Sequence, residues 1–200
     1  HFMFLGDEFQ SIHSGTASFA NIRRMFTEQG KEVTELSLMT SYRSSPEITK
    51  LFTSLLPQEV RIQTNSVQRE GVEPTVLACA DHETYVEELR RVIRENDRTE
   101  GLTAIVCCDW TGINMMRRTL GDDTPHIIRS YEALPKSGVV MMELKLAKGL
   151  EFDTVILPDV SVRDYPDRAL YRHRLYTAES RATEKLIILA DGELSPLVNL

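Results

Sequence analysis

Apolar and polar positions along the chain follow two repeating patterns. Short runs that are apolar nearly throughout predict buried strands, and apolar residues at i, i+3, i+4 and i+7 predict helices with one packed face. The predicted strands cover residues 2–5, 33–38, 75–79, 102–108, 126–129, 139–144, 154–157 and 186–189. Two predicted helices cover residues 16–29 and about 166–180, and three more begin at residues 45, 81 and 109. Residues 57–74 are polar and weakly patterned, which predicts a long loop.

Residues suited to helix ends support these elements. Ser45, Asp81 and Asp109 have side-chain oxygens that can accept from the free N–H groups of a first helical turn, and Pro46 suits the first helical position. Gly121 suits the end of the helix that Asp109 begins. Because strands alternate with helices and the strands are apolar on both sides, the sequence predicts an α/β fold: a doubly wound, mostly parallel sheet with helices on both faces.

The composition fits a globular protein, since 42% of the 200 residues are hydrophobic and 26% are charged. No apolar run approaches the ~18 residues that a membrane helix needs, and the N-terminus lacks a signal-peptide pattern. We therefore expect a cytoplasmic protein without a membrane partner. The chain lacks an initiator Met and opens inside a predicted strand, which favours a piece of a longer protein.

The net charge and the cysteine content argue against two kinds of site in this chain. The net charge of −7 argues against tight autonomous binding of nucleic acid, because such binding depends largely on cationic contacts to phosphates. Cys79, Cys107 and Cys108 lie in apolar runs without metal-ligand spacing. They predict reduced core thiols and no metal site.

Four short sequence segments, which we call motif strings, contain the candidate functional residues. The usual phosphate-binding loop, which ends in Gly-Lys-Ser/Thr, does not occur in the sequence. Instead, residues 5–12 read LGDEFQSI, residues 41–48 read SYRSSPEI, residues 147–153 read AKGLEFD, and residues 175–182 read LYTAESRA. In this order they resemble motifs III, IV, V and VI of the UvrD/Rep/PcrA-type superfamily 1 helicases.

This resemblance implies a RecA-like (P-loop NTPase-type) fold and a division of labour between two lobes. Residues 1–34 resemble the tail of a first RecA-like lobe, and residues 35–200 resemble the second lobe. In the family, ATP and Mg²⁺ are bound between the lobes and are held mainly by the first one. The resemblance implies an ATP-dependent DNA helicase or translocase in which the present chain alone, without the phosphate-binding loop, is inactive. The implied partners are the first lobe of the same chain and single-stranded DNA.

The resemblance also assigns roles at the nucleotide. The residues concerned are Gln10, Tyr42, Arg43, Gly149, Glu151 and Arg181. Arg43 and Arg181 would stabilise negative charge on the γ-phosphoryl group during transfer, because arginine is always charged and can donate bidentately. Gln10 would contact the γ-phosphate or the attacking water, and Glu151 would accept from the ribose hydroxyls. The motif VI helix would hold Arg181 rigidly across the cleft between the lobes.

The sequence departs from the family at the positions that contact nucleic acid. His13 and Gly15 stand where motif III usually has aromatic residues, and Glu143 and Lys145 stand where motif V usually begins Thr-x-His. The remaining candidates for nucleic-acid contacts are His13, Lys145 and Lys148. These losses resemble the HelD-like branch, whose members act on RNA polymerase.

A non-catalytic interaction module of helicase ancestry is the alternative to the motor. The intact Gln10, Arg43, Glu151 and Arg181 favour the motor. An unrelated α/β enzyme has no support, because the sequence has no nucleophile elbow or dinucleotide fingerprint. The run of residues 172–174 (RHR) predicts a solvated helix face.

Overall fold

A computed structural model describes residues 3–15, 17–36, 40–41, 44–61, 65–66, 71–97, 100–130 and 132–199. In chain order the strands are β1 (Thr40–Ser41), β2 (Asn65–Ser66), β3 (Thr75–Cys79), β4 (Leu102–Cys107), β5 (His126–Ile127), β6 (Gly138–Glu143), β7 (Phe152–Leu157) and β8 (Ala182–Asp191). The α-helices are α1 (Phe19–Thr27), α2 (Pro46–Thr53), α3 (Gln58–Arg61), α4 (His82–Asp97), α5 (Trp110–Leu120), α6 (Leu144–Ala147) and α7 (Ala169–Glu179). Short 3-10 helices cover Glu8–Gln10 and Gly121–Asp123.

The main sheet has six strands in the order β3-β8-β7-β4-β6-β5, and every neighbouring pair is parallel. β1 and β2 pair separately, also in parallel. Parallel neighbours need a crossover connection, which α5 helps to supply between β4 and β6 and which α7 supplies between β7 and β8. The predicted α/β fold with a parallel, doubly wound sheet is therefore confirmed. We call the edge where the six strands begin the amino edge, and the edge where they end the carboxyl edge.

Apolar residues on both faces of the sheet are buried. On one face, Ala104 and Val106 of β4 belong to a core that includes buried residues of α2, α6 and α7. On the other face, Ile105 of β4 belongs to a core that includes buried residues of α4 and α5. Successive residues of a strand point to opposite faces, so one apolar strand supplies both cores. This arrangement explains why the central strands are apolar nearly throughout.

The predicted helix starts are confirmed by their hydrogen bonds. The Ser45 Oγ accepts from the Ile48 amide at 3.4 Å, and Asp81 Oδ1 accepts from the Thr84 amide at 2.8 Å. Asp109 Oδ1 accepts from the first amides of α5. Gly121 follows that helix with a φ of 61°, which a residue with a side chain rarely adopts.

Two strand predictions are wrong. Residues 3–5 of the predicted strand 2–5 pair with no described strand, and Met3 and Leu5 are 82% and 81% exposed. Residues 33–36 of the predicted strand 33–38 are likewise unpaired, and Leu36 is 90% exposed. A strand needs a hydrogen-bonding neighbour, and the described residues offer none to these two apolar segments.

Smaller predictions had mixed outcomes. The predicted loop 57–74 contains α3 and β2 among its described residues. Cys79 and Cys107 are free and buried, and Cys108 is free and half-buried. Within the described ranges, no helix is long and apolar enough to cross a membrane.

Candidate functional site

The motif III segment, residues 5–12, packs on the second part of the chain through polar contacts. The Lys148 amino group donates to the Gln10 carbonyl at 2.8 Å, and the Tyr176 hydroxyl lies 3.4 Å from Asp7 Oδ2. Asp7 also accepts from the Gln10 side-chain amide at 2.9 Å, which fixes the orientation of that amide. The motif III string is thus in direct contact with the motif V and motif VI strings.

Aromatic and apolar contacts hold the same segment against α7. The Phe9 ring lies edge-on to the rings of His173 and Tyr176, with centroids 6.1 Å away in both cases. Phe52 of α2 contacts Tyr176 from the other side, with centroids 5.4 Å apart. Ile12 is buried in the core that α2, α6 and α7 share. Helix α7 is therefore covered by the sheet on one side and by the motif III segment on another.

Arg174 makes contacts that the sequence did not predict. Its Nε donates to the Ile12 carbonyl at 3.2 Å, and its Nη1 lies 3.4 Å from the Cys108 sulfur. Its guanidinium also lies 5.3 Å from the centre of the Tyr171 ring, a cation–π distance. The predicted solvated helix face is therefore wrong for Arg174 and His173. It fits Arg172, which pairs with the exposed Asp167 at 2.8 Å.

The motif V loop, residues 148–151, leads from α6 to the start of β7. Gly149 has a φ of 88°, and no atom lies within 4 Å of the position that a Cβ would occupy. Glu151 is exposed beside it. An open glycine next to an exposed carboxylate leaves room for a ligand to approach the backbone.

Asp153, the last residue of the motif V string, has a structural role that the sequence did not reveal. Its Oδ2 accepts from the Leu102 amide at 2.6 Å, so it joins the starts of β7 and β4. Gly101 has a φ of 99°, and a Cβ there would lie 2.6 Å from the same oxygen. Any side chain at position 101 would therefore strain the backbone and displace Asp153.

Arg181 lies between α7 and β8 and is 1% exposed. Its Nε donates to the Thr177 carbonyl at 3.0 Å, and its Nη1 donates to the Leu150 carbonyl at 3.1 Å. Its Nη2 donates to the Ser180 hydroxyl at 3.0 Å. The guanidinium thus ties the end of α7 to the motif V loop. We expected the helix to hold Arg181, but α7 ends at Glu179 and the side chain points into the domain.

Glu179 is the second buried ionisable group of motif VI. It is 1% exposed, and neither carboxyl oxygen has a hydrogen-bond partner among the described residues. Burial raises the pKa of this carboxyl from 4.5 to about 8, because removal from water disfavours the charged form. The side chain is therefore mostly protonated at neutral pH.

The candidate residues separate between the two edges of the sheet. Gly149, Glu151 and Arg181 lie near the amino edge, just before β7 and β8. Motif IV reaches that edge too, because the Ser44 hydroxyl donates to the Ala182 carbonyl at 2.6 Å. Tyr42 and Arg43 lie outside the described residues.

The predicted nucleic-acid contacts lie toward the carboxyl edge. Lys145 is exposed in α6, which directly follows β6. His13 is exposed and follows Ile12, which Arg174 joins to Cys108 at the end of β4. Lys148 lies between the two edges, where it binds Gln10. The structure therefore separates Gly149, Glu151 and Arg181 from His13 and Lys145, whereas Gln10 lies with Lys148.

Metal binding has no candidate in the part of the chain that the structure describes, where no three His, Cys, Asp or Glu side chains are grouped suitably.

Comparisons with known proteins agree with this architecture. A profile of the UvrD-like helicase C-terminal domain matches residues 138–189. The crystal structure of the C-terminal domain of a possible DNA helicase from Lactobacillus plantarum WCFS1 is 32% identical, with a TM-score of 0.64. That match covers 80% of the present chain and 94% of the other. Among curated proteins, no sequence matches significantly.

Two more distant structures have lower scores. The C-terminal domain of the DEAD-box protein Dbp5 is 15% identical over 60% of this chain and 76% of that one, with a TM-score of 0.38. An arterivirus nonstructural protein 10 helicase in complex with DNA is 11% identical over 62% of this chain and 31% of that one, with a TM-score of 0.35. At these scores the two structures add nothing to the assignment.

Proposed function

Because the chain belongs to the family of UvrD-like helicase C-terminal domains, we propose that it is the second RecA-like lobe of an ATP-dependent superfamily 1 DNA helicase or translocase. The observation that carries this proposal is the separation of Gly149, Glu151 and Arg181 at one sheet edge from His13 and Lys145 at the other. A motor of this kind must bind nucleotide and nucleic acid at different places and connect them mechanically. Helix α7 accepts from Arg181 at the Thr177 carbonyl and donates from Arg174 to Ile12, the residue before His13, so it connects the two edges.

Residues 1–34 are proposed to belong to the first lobe, and residues 35–200 to form the second. The support is the exposed apolar segment around Met3 and Leu5, which pairs with no described strand. A sheet in the first lobe would supply the missing hydrogen-bonding neighbours and cover these side chains.

ATP and Mg²⁺ fit this chain only as part of a shared site. The 200 residues contain no phosphate-binding loop, so the first lobe would hold the phosphates and the metal ion. The present chain would contribute Glu151 to the ribose, the open backbone of Gly149 and the side chain of Tyr42. Gln10 would contact the γ-phosphate region from the motif III segment.

The chemical contribution of the second lobe would come from Arg43 and Arg181. During phosphoryl transfer, negative charge spreads over the oxygens of the γ-phosphoryl group, and fixed cationic donors stabilise it. In the described conformation Arg181 donates to the Leu150 carbonyl. We propose that closure of the lobes exchanges this carbonyl for a phosphate oxygen, which would couple Arg181 to movement of the motif V loop.

Single-stranded DNA is the nucleic acid along which the proposed motor moves, and His13, Lys145 and Lys148 are its proposed contacts.

One observation favours a second candidate, an ATP-driven factor of the HelD-like kind that acts on RNA polymerase. The half-buried Glu143 is paired with Cys107 in the sheet register, directly before α6, where a negative charge would repel a phosphate. A non-catalytic interaction module is the third candidate.

The test is ATP hydrolysis by the chain joined to its first lobe, with oligo-dT, oligo-U and RNA polymerase added in turn. We expect oligo-dT to stimulate hydrolysis most. Stimulation by RNA polymerase alone would identify the second candidate instead. If the folded protein hydrolyses no ATP under any of these conditions, the result would favour the third candidate, a non-catalytic interaction module.

A further inference from the structure

Trp110 is the only tryptophan of the chain and is 40% exposed. It is the first residue of α5 and lies at the carboxyl edge, directly after the end of β4. A large aromatic ring that stays partly exposed on a polar surface is suited to contact a ligand, because it offers a flat apolar face.

The backbone of Trp110 is fixed from both sides. Asp109 Oδ1 accepts from the Thr111 amide at 2.9 Å and from the Gly112 amide at 3.2 Å, which caps the helix around the tryptophan. A Cβ at Gly112 would lie 3.2 Å from the Cys107 Cβ, so α5 begins close against β4. Trp110 is also more than half covered, so its immobilisation on binding costs less than that of a fully exposed side chain.

Trp110 shares the carboxyl edge of the sheet with His13 and Lys145, two of the proposed nucleic-acid contacts. Cys108, two residues earlier, contacts the Arg174 guanidinium, which also binds the Ile12 carbonyl. His13 therefore lies near the same end of β4. On the other side, Cys107 is paired with Glu143 in the sheet register, directly before the helix that carries Lys145.

We propose that Trp110 stacks on a base of single-stranded nucleic acid, an inference that rests on the proposed function. At positions 13 and 15 the motif III segment of this chain has His and Gly in place of the family's larger aromatic residues, so a stacking surface on another element would compensate. Trp110 supplies one at the same edge of the sheet. Aromatic stacking is sequence-tolerant because every base has a π-face, which suits a translocating motor.

The size of the effect follows from stacking energies of about 1–3 kcal/mol per base. At 1.4 kcal/mol per tenfold change, removal of the ring should weaken binding by about five- to a hundredfold. Trp110→Phe should retain part of the affinity, because a phenyl ring still stacks with a smaller area.

The experiment uses the 200-residue chain, in which the single tryptophan reports directly on its own environment. Oligo-dT and an abasic oligonucleotide of the same length are titrated at low ionic strength. Tryptophan fluorescence is followed for the wild-type chain, and anisotropy of labelled strands is followed for Trp110→Ala and Trp110→Phe. Val72→Ala is the matched control, since Val72 is a 60% exposed apolar residue just before β3, at the opposite edge.

We expect oligo-dT to quench Trp110 and to bind more tightly than the abasic strand. We also expect Trp110→Ala to lose affinity, while Val72→Ala binds like the wild type. If oligo-dT binds without quenching and Trp110→Ala keeps its affinity, the stacking inference is wrong while the proposed function stands. If no strand binds, and the joined two-lobe protein is not stimulated by any strand, both are wrong.

Discussion

Replacement of Glu179 by glutamine should stabilise the fold at neutral pH. The carboxyl is fully buried without a hydrogen-bond partner among the described residues, and its pKa is raised from 4.5 to about 8. The folded state therefore binds a proton that the unfolded state releases. A raised pKa gives stability that is fully present below pH 4.5 and is lost as the pH rises through about 8.

The magnitude follows from the gap between the two pKa values. At pH 7 the unfolded carboxyl is ionised, and protonating it costs about 1.36 kcal/mol for each of the roughly 2.5 pH units above its ordinary pKa. Folding of the wild type is thus penalised by ~3 kcal/mol, whereas glutamine has a similar shape and no charge to neutralise. Glu179→Gln should recover up to about that amount at pH 7, more at pH 8.5, and almost none at pH 4.

Urea denaturation followed by circular dichroism, at these three pH values, measures the effect. Glu87→Gln is the control, because Glu87 is exposed on α4 and should show little difference. Equal urea midpoints for Glu179→Gln and wild type at pH 8.5 would refute the reasoning. So would a loss of stability at pH 7, since it would mean that the carboxylate is ionised and paired.

Three further outcomes are expected. Gly101→Ala should destabilise the fold by about 1–3 kcal/mol, because the new methyl group would meet Asp153 and require a left-handed backbone; thermal unfolding measures it, and an unchanged Tm contradicts it. Arg174→Ala should speed amide hydrogen exchange in residues 7–12, while Arg172→Ala, which removes only a surface ion pair, should not; equal exchange in both variants would refute this. The isolated chain should not bind Mg-ATP with micromolar affinity in calorimetry, because the phosphate-binding loop is absent from its sequence; such binding would contradict the shared-site proposal.

The main sheet could be predicted from the sequence because its strands pair within the chain. The apolar runs at residues 75–79 and 102–108 coincide with β3 and β4 almost to the residue. Residues 2–5 have the same apolar pattern, yet Met3–Leu5 have no neighbour to pair with. A pattern reports the tendency of a segment to be buried, whereas strand formation depends on a partner that is distant in sequence.

The contacts of α7 could not be predicted, for a different reason. A helix with one buried face shows a clear apolar stripe, but α7 is covered by the sheet and also by the motif III segment. Its exposed and buried positions therefore do not separate in the sequence, and Arg174 was mistaken for a solvated residue. The motif string likewise located Arg181 in the chain but could not reveal that its guanidinium is turned toward Leu150.

The most direct test of the central claim is single-turnover ATP hydrolysis by the chain joined to its first lobe, with wild-type Arg181, Arg181→Ala and Arg181→Lys. Arginine fingers contribute on the order of 10³–10⁵ in rate, or ~4–7 kcal/mol. We expect Arg181→Ala to hydrolyse ATP at least about a thousandfold more slowly, with a much smaller change in nucleotide Kd. Arg181→Lys should rescue little, because an ammonium group cannot reproduce the guanidinium fork. Folded variants, verified by circular dichroism, that stay within about tenfold of the wild-type rate would contradict the claim that this lobe supplies Arg181 to the nucleotide.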